Sequence, residues 1–173
     1  MYLLHSVIGE DDIFKILKDG YLRSSFETKN AKMFDPKGSK YIYIRLNKQG
    51  EYAHFNLDKN LLLENIFYLN TGWHGEPLGE KIDGRKLNEK ELDEILKNFR
   101  ARVNKYYREY DKTWSKEMKG SLPVQMSNEI LVEKKISLKK YLRKINKYNC
   151  SQDEYNYIVK KYKDVKLSCY KIS

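Results

Sequence analysis

Apolar positions along the chain switch between a spacing of two and a spacing of three to four, and the switches mark its elements. Residues 2–7 are short and apolar, interrupted by His5, and read as a strand. Over 10–19, Ile13, Ile16 and Leu17 share one helical face, and Gly20 follows as a stop that tolerates a left-handed backbone. Residues 24–39 are polar, with Asp35-Pro36-Lys37-Gly38 as a turn. Lys40-Tyr41-Ile42-Tyr43-Ile44-Arg45-Leu46 is β-branched and aromatic, and predicts a strand. Asn47-Lys48-Gln49-Gly50 reads as a hairpin loop that returns 52–57 as the partner strand. A helical turn is expected near 61–63, a strand at 66–69, and a loop over 70–87, where glycines and Pro77 collect.

The second half opens on the clearest helix. Asn88 can cap it and Glu91 completes a capping box, while Leu92, Ile95, Leu96, Phe99 and Val103 form the apolar stripe. The pattern carries it to about residue 110. Ile130-Leu131-Val132 predicts a short buried strand. Ser137 is positioned to cap a helix bearing Leu138, Tyr141, Leu142 and Ile145. Residues 153–163 read as another helix and 165–172 as a last strand. Short strands with helices out of strict alternation give an α+β class. The chain shows no repeat and no linker rich in Pro, Gly or Ser, so 1–173 reads as one domain.

Charge alters that picture at one end. The net charge is +10, and from Lys134 onward twelve Lys or Arg face three acids, a balance of +9. The basic part from about residue 134 favours nucleic acid, acidic protein or an anionic ligand, with a solubilising Lys-rich surface as the plainer account. Fifteen tyrosines suit half-buried sheets and clefts. Cys150 and Cys169 match no metal spacing and read as free thiols in a reducing compartment. His5, His54 and His74 are too scattered for a metal site. No apolar run is long enough to span a membrane, and the start of the chain lacks a basic leader with a long apolar core. The expectation is a soluble intracellular protein, cytoplasmic or nuclear.

Three features carry candidate chemistry. His5 sits in an apolar strand, where an imidazole needs a hydrogen-bond partner; it is either a satisfied core histidine or a group facing a sugar hydroxyl. Tyr41 and Tyr43 share one strand face, as filling or as a wall for a flat heteroaromatic ring. Glu129 lies between Gln125-Met126-Ser127-Asn128 and the apolar run after it. A carboxylate there either points to water or supports a sugar on which positive charge develops.

The segment 121–145, with Asn128-Glu129 entering a strand that ends in Val132, then Leu138, Tyr141 and Leu142, resembles the catalytic-glutamate segment of the poly(ADP-ribose) polymerase superfamily. A histidine strand, a helix ending in glycine and a tyrosine-rich strand fit the order of that superfamily's His–Tyr–Glu pattern. The segment from Leu3 to Leu22 is also similar to the start of DNA-targeting ADP-ribosyltransferase toxins. The resemblance covers the first 46 residues and roughly 120–145. It implies an ADP-ribosyltransferase-like split β-sandwich with flanking helices, and transfer of ADP-ribose from NAD⁺ to a protein or nucleic-acid acceptor with release of nicotinamide. It implies further that His5 bonds a hydroxyl of the adenine-side ribose and that the backbone at Ser6, where the family has glycine, takes the nicotinamide carboxamide. Tyr43, with Tyr41 as the alternative, occupies the tyrosine-strand position, and Tyr52 is the candidate for a second tyrosine. Glu129 contacts the nicotinamide ribose, Ser127 the same ribose or the acceptor, and Arg45 the pyrophosphate. Single addition is the expectation for a chain of this size, and nothing in it implies a metal.

Two other classes compete. One is a catalytically silent module that holds nucleic acid on the basic part; an inactive relative would often lack the glutamate that this chain keeps. The other is a small structural or inhibitor protein with a coincidental motif; within the same fold family, NAD⁺-dependent removal of a 2′-phosphate from RNA is a related activity, for which His5, Arg23 and Arg45 are a thin set of cations.

Overall fold

Leu3 and Leu4 point to opposite faces of their strand, and both are buried. A strand covered on both faces belongs inside a sheet, and the rest of the architecture is arranged around it. The structure is a computed structural model that describes residues 1–7, 10–24, 26–28, 40–46, 53–69, 79–117 and 129–172. In chain order its strands are β1 (Tyr2–His5), β2 (Tyr21–Leu22), β3 (Ile42–Leu46), β4 (Phe55–Asp58), β5 (Ile66–Leu69), β6 (Glu80–Asp83), β7 (Glu129–Val132), β8 (Ile136–Ser137), β9 (Leu142–Cys150) and β10 (Lys166–Ile172). The helices are α1 (Glu10–Asp19), α2 (Glu89–Glu117), α3 (Leu138–Tyr141) and α4 (Gln152–Lys161), with 3-10 turns at Lys59–Glu64 and Gly84–Lys86. Eight strands join in the order β10-β9-β4-β1-β3-β7-β5-β6, and β2 pairs with β8 as a separate ribbon. The class is α+β.

One sheet face builds the core. Leu3, Ile44, Phe55, Phe67 and Ile130 meet Ile13 and Leu17 of α1, Leu92, Leu96 and Phe99 of α2, and Ile158 of α4. Burying one such side chain contributes about 1.5–3 kcal/mol. Helix ends are satisfied locally and across elements. Asn88 and Glu91 form the capping box of α2, and Ser151 and Glu154 that of α4. Gly20 closes α1 at φ 81°. The carbonyls left open there are met from α4: Lys161 Nζ donates to Leu17 O and Lys18 O, and the Tyr162 hydroxyl donates to Leu17 O at 2.6 Å.

Five expectations are corrected. β3 and β4 form no hairpin, because β1 lies between them, with Leu3 opposite Leu46 on one side and Leu57 on the other. Alternation makes each a strand but does not choose its partner; the doubly buried β1 does. The helix expected after Ser137 stops at Tyr141, and Leu142 onward is β9, paired to β4 and β10. Its Asn and Tyr residues are weak helix formers, so ladder pairing on both sides prevails. The loop expected over 70–87 contains β6, an edge strand whose one buried residue, Ile82, leaves too little pattern to read. Cys150 and Cys169 are a disulfide, not free thiols: β9 and β10 run parallel and bring their Cα atoms to 6.3 Å. α2 also runs past the expected end near 110, to Glu117.

Where the resemblance implies a split sandwich, the eight strands share one continuous ladder. Its register shifts between Asn56 and Leu57, where β4 meets β9. No helix among the described residues is long and apolar enough to cross a membrane.

Candidate functional site

Three neighbouring strands, β1, β3 and β7, carry His5, Tyr43 and Glu129, and Tyr41 immediately precedes β3. Leu4 stands opposite Arg45, and Arg45 opposite Glu129, so the three share one face of the sheet. A cavity of about 780 Å³ opens where the chain leaves β1. The sheet side of its wall holds His5, Ser6, Tyr41, Tyr43, Arg45 and Glu129; α1 and the segment after it add Asp12, Lys15, Asp19, Tyr21 and Arg23. Ser127 and Tyr52 lie outside the described residues.

Glu129 is half-buried at the first position of β7, immediately before the buried Ile130, and its Oε2 is closed off from solvent. The apolar run behind it anchors the strand, so the carboxylate is held by a rigid element at the cavity wall.

The His5 Nδ1–H donates to the Tyr43 carbonyl at 2.8 Å, and its ring lies nearly parallel to Phe55. Burial lowers its pKa, the Tyr43 carbonyl opposes that shift, and His54 and Arg45 add to it. The imidazole is therefore held neutral, and with Nδ1 donating, Nε2 is left as an acceptor. His5 is thus a histidine satisfied by backbone at Nδ1, and its ring lines the cavity.

The chain beyond His5 is held at the Ser6 side chain and at the Val7 backbone. Arg45 Nη2 donates to Ser6 Oγ at 3.1 Å, and Val7 N–H donates to His54 Nδ1 at 2.9 Å. His54 is a residue sequence reasoning missed: it stands 49 positions from His5 and gains its role only when β4 pairs with β1.

Tyr41 and Tyr43 both reach the cavity, as their shared strand face predicts. The Tyr41 ring meets Tyr68 edge-on at 5.5 Å, and Lys40 Nζ lies 5.2 Å from its centroid. Tyr68 is fixed in turn by its hydroxyl donating to Glu133; burial and that carboxylate push its pKa up to about 12. The aromatic wall is thereby braced from behind.

Cations surround this wall. Arg23 is bound by Asp19 at 2.8 Å and lies over the Tyr21 ring, Lys15 meets Asp12 at 3.2 Å, and Arg45 holds Ser6. The guanidinium of Arg23 keeps the Asp19 carboxyl below the usual carboxylate range. α1 and the residues after it were missed as cavity walls, because their pattern signals only a helix and its stop. Aromatic faces, cations and one enclosed carboxylate suit a flat heteroaromatic ligand with anionic groups. Among the described residues no cluster of His, Cys, Asp and Glu could hold a metal.

No curated protein and no solved structure matches the chain. A family model does match residues 1–105, which include β1, α1, β3 and most of the cavity wall. On that match the chain belongs to a family of unknown function, DUF5846.

Proposed function

We propose that the chain is an NAD⁺-dependent ADP-ribosyltransferase, moving a single ADP-ribose to a protein or nucleic-acid acceptor and releasing nicotinamide. One observation carries the reading: His5, Tyr43 and Glu129, from three adjacent strands, line one cavity in the order of the His–Tyr–Glu pattern. The cavity volume, about 780 Å³, falls in the range of small-molecule sites. Its lining suits a dinucleotide, with tyrosine faces for the ring systems and arginine for the pyrophosphate. An ADP-ribosyltransferase-like fold is part of the proposal, and the register shift at Asn56 and Leu57 is where one ladder would turn into two facing halves.

NAD⁺ supplies an electrophilic sugar whose bond to nicotinamide breaks with the electron pair leaving on the base. The residues do the rest. Glu129 accepts from a hydroxyl of the nicotinamide-side ribose and stabilises positive charge developing on that sugar. His5, neutral and accepting at Nε2, takes a hydroxyl of the adenine-side ribose. Tyr43 and Tyr41 hold the flat ring, the backbone at Ser6 meets the carboxamide, and Arg45 faces the pyrophosphate. An acceptor oxygen or nitrogen then bonds to the sugar carbon and loses its proton. Fixed positioning lowers the barrier further by holding the reactants in line.

The intracellular location expected from the sequence loses one of its supports, since free thiols were part of that argument and the cysteines are bridged. The test is label transfer from NAD⁺ to the chain itself, to a protein mixture or to oligonucleotides, run beside Glu129→Gln with both variants checked for folding. We expect transfer by the native chain and a loss on the order of 10²–10³-fold in the variant. No transfer, no hydrolysis of NAD⁺ and no NAD⁺-dependent rise in Tm would sink the reading and leave a silent binding module.

A further inference from the structure

At the sheet edge far from β6, two tyrosines stand in the open. Tyr148 of β9 and Tyr170 of β10 are 60% and 61% exposed, and their rings stack at 6.4 Å and 28°. The parallel register pairs Cys169 with Lys147 and Lys171 with Asn149, so the tyrosines are direct neighbours. Four residues earlier on the same strands, and on the same face, Lys166 pairs with Lys144. The opposite face is covered by α4, where Lys147 is bound by Glu154. That contact draws one of the three acids of this basic segment away from the tyrosine side.

This face lies on the same side of the ladder as the Arg45 and Glu129 wall of the cavity. Lys144 pairs with Asn56, Asn56 with Leu4, Leu4 with Arg45 and Arg45 with Glu129, a single row across five strands. β1, β9 and β10 run in the same direction, so Tyr148 and Tyr170 lie toward the strand ends at which the cavity opens. Four strand spacings separate β9 from β7, roughly 19 Å.

We propose that this face of β9 and β10, with Tyr148, Tyr170 and Lys166 exposed and Lys144 half-buried beside them, binds single-stranded nucleic acid. Every base presents a π-face to a tyrosine ring, and lysines about 13 Å along the strands meet the phosphates. Charge complementarity favours this occupant, because the charged residues named on this face, Lys144 and Lys166, are both cations. Bases in a duplex are stacked on one another and cannot lie on an exposed ring, so the face selects single strands. The inference does not rest on the transferase reading, since it concerns binding without NAD⁺.

The experiment is fluorescence anisotropy of the full chain, without NAD⁺, with dye-labelled single strands of about 15 nucleotides, the matching duplex, and phosphatidylserine vesicles as competitor. We expect single strands to bind more tightly than duplex and to resist the vesicles. Tyr148→Ala with Tyr170→Ala should weaken binding about tenfold or more, while Phe at both positions preserves it. Lys144→Ala and Lys166→Ala should each make the salt dependence shallower by about one phosphate contact. Unchanged Tm across the variants separates lost stacking from lost folding. Equal affinity for duplex, displacement by vesicles, or undiminished binding by the folded Ala pair would overturn the proposal.

Discussion

At the scale of single residues, His5 makes the most specific claim about the solution behaviour of the chain. Its pKa is lowered chiefly by burial, so the folded state resists protonation that the unfolded chain accepts near the ordinary value of 6.5. The unfolded state therefore binds more protons as the pH falls through that value. Its contribution is fully present above 6.5 and is lost on acidification toward the lower folded pKa. We expect Tm to drop as the pH falls below about 6.5, and His5→Gln to flatten that part of the profile. An identical profile in the variant would assign the effect elsewhere. Much of the candidate site could be read at this scale. His5 stands out as a polar residue in an apolar strand, Tyr41 and Tyr43 by their shared parity, and Glu129 by its place before a buried run. His54 could not be read, because its bond to the Val7 backbone depends on a pairing between distant strands. Nor could Asp19, whose ion pair with Arg23 is local but whose place at the cavity depends on where α1 packs.

At the scale of elements, two junctions show how little a local pattern says about close approach. Gly84 opens a 3-10 turn beneath the one formed by Lys59–Glu64, and its N–H donates to Asn65 O. A Cβ at Gly84 would lie 1.8 Å from Leu62 O and 2.9 Å from Asn65 O, both backbone atoms that cannot swing away. We expect Gly84→Ala to cost more than 2 kcal/mol, at the upper end of single substitutions, read by denaturant unfolding. Gly20→Ala meets open space and suffers only the strain of φ 81°, so its cost should stay near 1 kcal/mol. Similar losses in the two variants would refute this account of Gly84. The capping box of α4, Ser151 with Glu154, repeats the spacing of Asn88 with Glu91, but the pattern of the sequence places that helix at 153–163 without a cap. Ser151→Ala should cost about 1 kcal/mol in the same assay. Similarly, β9 could not be told from a helix. Leu138, Tyr141, Leu142 and Ile145 suit helical spacing, and only the neighbours β4 and β10 decide for a strand.

At the scale of the whole molecule, the sheet is stapled at one edge. β10 is an edge strand with β9 as its single sheet neighbour, and the two are connected through α4. The bridge between Cys150 and Cys169 closes a loop of 19 residues that contains that helix. Such a loop restricts the unfolded chain, a gain of about 2–4 kcal/mol. For a chain of this length that corresponds to a Tm change on the order of 10 °C. The cavity lies on β1, β3 and β7, on the far side of β4, so opening the bridge should leave its walls in place. We therefore expect a reductant to lower Tm on that scale without removing an NAD⁺-dependent rise, and Cys150→Ser with Cys169→Ser to reproduce the lower Tm and abolish its response to reductant. The stacking face depends on β10 staying in register with β9. Binding of single strands should accordingly weaken in the reduced chain before the cavity is affected. Loss of both functions together on reduction would mean that the edge and the cavity unfold as one unit, and retention of both, with Tm unmoved, would mean that the bridge stabilises neither.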